Sequence, residues 1–182
     1  MNKNVHYETP TCFRWVLDSA GLLTISPAGD NEEPSHQLGI ASVCPSEEVW
    51  PWFYFKNGVR KVLIEPGVKA GTSIANIFSD LCRCTEFDVS GLDTSRTELM
   101  TEMFCECSKL VDIKGLDSWD TGNVRDMRRA FYNCCQMTDI SAVKEWNTGK
   151  LEDTGDMFFN CKSLADISPL AKWNVNHPTH SF

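Results

Sequence analysis

The sequence predicts a repeat solenoid of the α/β class, with short parallel strands and short helices, preceded by an N-terminal β-hairpin cap. Three observations predict it. Phe104, Phe131 and Phe158 stand at a constant spacing of 27 residues, and every third residue after each Phe falls into a column. The columns are Cys107, Cys134, Cys161; Leu110, Met137, Leu164; Ile113, Ile140, Ile167; Leu116, Val143, Leu170; and Trp119, Trp146, Trp173. A degenerate earlier copy, one residue shorter, starts at Phe78 and keeps Leu81, Cys84 and Phe87 in the first three columns. Repeats of this length cannot bury an apolar side alone, so neighbours stack and share a core. The third observation is a strand-like, turn-punctuated stretch ahead of the first copy.

In chain order, residues 12–25 read as a hairpin. Phe13, Trp15 and Leu17 alternate with less apolar neighbours, Asp18-Ser19-Ala20-Gly21 supplies the turn, and Leu23 and Ile25 resume the alternation. Residues 26–35 hold two prolines, a glycine and acidic residues, the composition of a loop. The aromatic block Trp50-Pro51-Trp52-Phe53-Tyr54-Phe55 is expected to cover the exposed end of the first repeat, because terminal repeats need a cap. Val59 to Ile64 is a β-branched run closed by Glu65-Pro66-Gly67, a strand and turn.

Each repeat divides into halves. Val124, Met127, Phe131 and Cys134 lie at steps of three and four, one face of a short helix. Threonine at the matching positions Thr97 and Thr154 weakens that face, so the helices are expected to be short or partly irregular. Met137 to Ser141 is expected as a short strand in parallel pairing with its counterparts. Asp120-Thr-Gly and Asn147-Thr-Gly turn the chain toward the next helix, with Thr and Asn suited to helix starts. The last copy decays, with Pro178 where Val124 and Leu151 stand earlier. The resulting organisation is one domain: residues 1–58 as the β cap and 59–182 as about four coils, the final coil open to self-association.

A chain of 182 residues with 42% hydrophobic content fits one ordinary domain, large enough for a core without metals or disulfides. The net charge of −8 argues against nucleic-acid binding. No segment approaches the roughly 20 apolar residues of a membrane span, and residues 1–11 do not read as a secretory signal.

The chain resembles the BspA-like leucine-rich repeat surface proteins of bacteria. The resemblance is carried by Met100-Thr-Glu-Met103-Phe104, by Cys161-Lys-Ser-Leu164-Ala-Asp-Ile167-Ser and by Trp119-Asp-Thr-Gly-Asn-Val124. Ahead of the repeats it rests on Trp15 through Ile25, Pro51-Trp52 and Val62 through Val68. It implies a right-handed, leucine-rich-repeat-like coil and, by analogy, adhesion or protein recognition at a cell surface or in secreted form.

The residues offer little for catalysis. His6, His36, His177 and His180 lie outside the columns, and there is no phosphate loop or nucleophile elbow, so no enzyme activity and no cofactor are expected. Cys82-Arg-Cys84 and Cys105-Glu-Cys107 have one intervening residue where structural zinc sites favour two to four, and column cysteines behave as small buried hydrophobes, so no metal site is assigned. The expected function is non-enzymatic recognition of a protein partner by the strand face. Its candidate contacts are Glu86, Asp88, Asp112, Lys114, Asp139, Ser141, Asp166 and Ser168. Glu86, Asp112, Asp139 and Asp166 recur once per copy, either as a strip for a basic partner or cation, or as acceptors for local backbone amides. A structural or self-assembling spacer and a cysteine-based metal or redox sensor are the alternatives.

Overall fold

The structure, a computed structural model, describes residues 13–27, 40–41 and 50–173. The histidines and the decayed end 174–182 lie outside the described residues, as does most of the expected loop at 26–35. The hairpin forms as strands β1 (Phe13–Leu17) and β2 (Leu22–Pro27). Its turn is held by Asp18, whose Oδ1 accepts from the amides of Ala20 at 2.8 Å and Leu22 at 2.9 Å. β3 (Ile40–Ala41) pairs antiparallel with β1. β4 (Lys61–Ile64), β6 (Glu86–Asp88) and β8 (Asp112–Lys114) then continue from β2 in parallel, giving the sheet order β3-β1-β2-β4-β6-β8. β5 (Val68–Lys69) and β7 (Leu92–Asp93) form a separate parallel pair.

The expected right-handed, leucine-rich-repeat-like α/β solenoid is not what the chain builds. The described residues contain no α-helix, only 3-10 turns at Pro51–Phe55, Leu116–Ser118, Ser141–Val143 and Ser168–Lys172, and the sheet is mixed. The reason lies in the backbone hydrogen bonds. In the half read as helical, one set of amides closes turns three residues back, as Ala130 to Met127 at 3.1 Å and Cys134 to Phe131 at 3.2 Å. The alternate amides reach the next repeat: Phe104 donates to Ala130 at 2.8 Å and Phe131 to Met157 at 2.9 Å. An α-helix consumes its amides internally and would leave none for this ladder.

Such alternation needs left-handed backbone at two places per repeat, two residues before and after the Phe. Asn76, Asp80, Glu102, Glu106, Arg129, Asn133, Asp156 and Asn160 all have φ between 53° and 64°. Each left-handed residue costs about 1–2 kcal/mol, less for Asn and Asp, which fill five of the eight places. The cost is offset where the reversed amide bonds onward, as from Glu102 to Arg128 and from Asn133 to Phe159, both at 2.9 Å.

The second correction concerns the strands. Met137 to Ser141 does not pair as one, and the sheet stops at β8. Gly115 follows β8 with φ of 95°, and a Cβ there would lie 2.4 Å from the Ser90 backbone. That conformation turns the chain directly after Lys114. Ala142 and Pro169 occupy the same frame place in the next copies and do not have positive φ. The 3-10 turns there begin at Ser141 and Ser168, two residues earlier in the frame than the turn that starts at Leu116.

The core is one continuous stack. Phe78, Phe104 and Phe131 are fully buried, with ring centroids 5.5 Å apart at each step, and Phe158 follows at 5.2 Å, nearly parallel to Phe131. Trp119, Trp146 and Trp173 stack at 6.3 and 6.0 Å. Each indole also donates to a carbonyl one repeat back: Val89 at 3.2 Å, Leu116 at 2.8 Å and Val143 at 3.2 Å.

Candidate functional site: the strand face

The three parallel strands alternate a buried centre with outward flanks. Val62, Phe87 and Ile113 are in register and buried, and Ile140 continues their column at 3% exposure although it is not in a strand. On one flank stand Lys61, Glu86, Asp112, Asp139 and Asp166, all exposed. On the other stand Asp88, Lys114, Ser141 and Ser168. Among the eight sequence-derived contact residues, strand register places Glu86 beside Asp112 and Asp88 beside Lys114, while Asp139, Ser141, Asp166 and Ser168 hold the matching frame positions beyond the end of the sheet.

Most of their carboxylates are already engaged. Lys61 Nζ donates to Glu86 Oε2 at 2.8 Å, and Lys114 Nζ to Asp88 Oδ2 at 2.7 Å. The Lys114 bond and then the Ser90 hydroxyl hold the Asp88 carboxyl below the usual carboxylate range, while Asp88 raises Lys114 in return. Asp139 accepts from the Ser141 amide and hydroxyl, each at 2.8 Å. Asp166 accepts from the Ser168 amide at 2.8 Å. Those serine bonds lower both aspartates, the backbone amide first. Local capping thus accounts for Asp139 and Asp166, and exposed, solvent-screened ion pairs along the stack occupy Glu86 and Asp88. Among the described residues, Asp112 is the member of the strip whose side chain has neither a hydrogen bond nor an ion pair.

Two features escaped the sequence reading. Lys61 belongs to the face, and its signal was its register with Glu86 across one repeat step. A cavity of about 80 Å³ lies between the segment Asp112–Leu116 and the segment Met137–Val143, where the strand ladder has ended.

The column cysteines are elsewhere. Cys107 and Cys134 are fully buried and Cys161 nearly so, and their thiols donate to the carbonyls of Phe78, Phe104 and Phe131 at 3.1, 3.2 and 3.1 Å. Burial pushes all three thiols up, Cys161 to about 11 and the others further. The seven described cysteines are unpaired, and no group of three or more His, Cys, Asp or Glu among the described residues could hold a metal ion. No helix among the described residues is long and apolar enough to cross a membrane.

No curated protein and no solved structure matches the chain. A family model does match, over residues 72–181, and its description is Mycoplasma protein of unknown function, DUF285. This overturns the BspA-like leucine-rich repeat assignment. The repeat motifs from Met100 to Ser168 that carried that resemblance all fall within the match to a different family. The match spans more than half of the chain, and the protein therefore belongs to this family of Mycoplasma proteins of unknown function.

Proposed function

We propose that the protein is a non-enzymatic recognition module that binds a protein partner through the strand face. The observation that supports this most is the register of exposed polar flanks on a buried apolar centre, from Lys61 through Glu86 to Asp112. Parallel pairing fixes where the flanking side chains stand and reduces the ordering cost of docking on them. The flanks mix engaged charges with one open carboxylate, Asp112. A basic surface would be steered toward such a face, which sets encounter rate and specificity more than affinity.

Replacing Asp112, Asp139 and Asp166 together by Asn tests this reading. Asn keeps an acceptor for the Ser141 and Ser168 amides, so the turns survive while the charge is removed. Capture from a protein extract should show bands that bind the parent and are lost with the variant, at an unchanged melting temperature. Equal capture by the two proteins would refute a role for the face.

A further inference from the structure

We propose that the cavity beside β8 is a pocket for a single lysine side chain of the partner. The proposal deepens the strand-face reading and rests on it. The cavity lies where the sheet ends, between β8 and the unpaired residues 137–143 of the next copy. Its walls are Ile113, Leu116, Met137, Ile140 and Val143, each no more than 7% exposed. Asp112 and Asp139 also line it, and both residues are exposed. An apolar wall with an anionic rim calls for an aliphatic stem carrying a cation.

Three properties select lysine within that class. A cavity of roughly 150 Å³ holds a benzene ring, and this one is about 80 Å³, so it suits an unbranched chain and excludes aromatic side chains. Arginine also has an aliphatic stem, but its planar fork is shaped for bidentate pairing with one carboxylate, whereas a compact ammonium can be shared between two. The lysine stem covers apolar surface while its charged head stays near water, which matches an apolar interior with exposed carboxylates. Asp139 is held ionised by Ser141, and Asp112 has its full complement of acceptors open among the described residues.

The test is methyl NMR of the full chain titrated with Nα-acetyl-lysine N-methylamide. Resonances of Ile113, Met137, Ile140 and Val143 should shift saturably, with a dissociation constant near the millimolar range expected for a single side chain. The norleucine analogue, which keeps the stem and lacks the charge, should bind about tenfold more weakly, and so should the lysine analogue to Asp112→Asn. Asp112 is exposed and unbonded, so that variant should keep the parent methyl spectrum elsewhere. No shift at about 50 mM, equal binding of norleucine, or indifference to Asp112→Asn would each overturn the pocket. Such a result would leave the broader reading standing if the triple Asn variant still lost its captured partner. Lysine binding without any loss of capture would instead sink the broader reading.

Discussion

The indole Nε1 of Trp52 donates to the carbonyl oxygen of Ile77 at 2.7 Å, across the boundary between the N-terminal cap and the first repeat. Ile77 holds the frame place of Met103, whose carbonyl accepts from the Phe78 amide of the preceding copy. No earlier copy exists to serve Ile77, and an indole takes the place of the missing amide. Trp50 does the same for Ala75 at 2.8 Å, and the two rings stack 5.4 Å apart. The aromatic block therefore closes the ladder chemically as well as covering its apolar end.

Trp52→Phe should separate those two roles. It keeps most of the ring and leaves the Ile77 carbonyl unpaired, which costs about 1–3 kcal/mol. Trp52→Ala should cost about 3–5 kcal/mol through the cavity it adds. Chemical denaturation of the two variants beside the parent checks the order, and equal losses would mean that the indole hydrogen bond contributes nothing.

Gly115→Ala should destabilise by more than about 1 kcal/mol, because the site needs positive φ and has no room for a Cβ. The loss should appear together with faster amide exchange in β8. A variant as stable as the parent would contradict the close approach of Gly115 to the Ser90 backbone.

Cys107, Cys134 and Cys161 should resist alkylation in the native protein at neutral pH, since burial keeps their thiols protonated. After denaturation they should react fully without a reductant. Mass spectrometry of the modified peptides reads both states, and prompt native labelling of Cys107 would contradict the packing described.

Acid should weaken the fold through the lowered aspartates. A carboxyl whose pKa lies below its ordinary 3.8 in the folded state stabilises the protein above that value, and the contribution is lost as pH falls through the folded pKa. Melting temperature should therefore decline as pH falls from about 5 to 2. Asp139→Asn should flatten that decline slightly, while Asp139→Ala should lower stability at neutral pH by removing the acceptor for Ser141. A pH profile in which the two variants coincide would exclude the capping role.

The columns, the hairpin and the capping block were legible in the sequence because each is a pattern of burial, and burial is what Phe104, Cys134 or Trp146 reports. The helices were not. Steps of three and four describe one face of a helix and also a train of three-residue turns, and Val124, Met127 and Phe131 fit both. The arbiter was the left-handed backbone at positions such as Glu102 and Arg129, residue types that do not advertise it. On the candidate site, the frame aligned Glu86 with Asp112 and Asp88 with Lys114, as the strand register has them. It could not show that Lys61 and Lys114 neutralise two of them, nor that Asp112 borders a cavity.

Photo-crosslinking tests the strand-face claim most directly. A benzophenone side chain would be placed singly at Asp112 or Ser141 on the strand face, and at Arg128 or Glu98 on the turn side, all four on surface positions. After exposure to a protein extract, the strand-face positions should yield a common partner adduct and the turn-side positions none. Adducts at Arg128 or Glu98 with none at Asp112 and Ser141 would contradict the account.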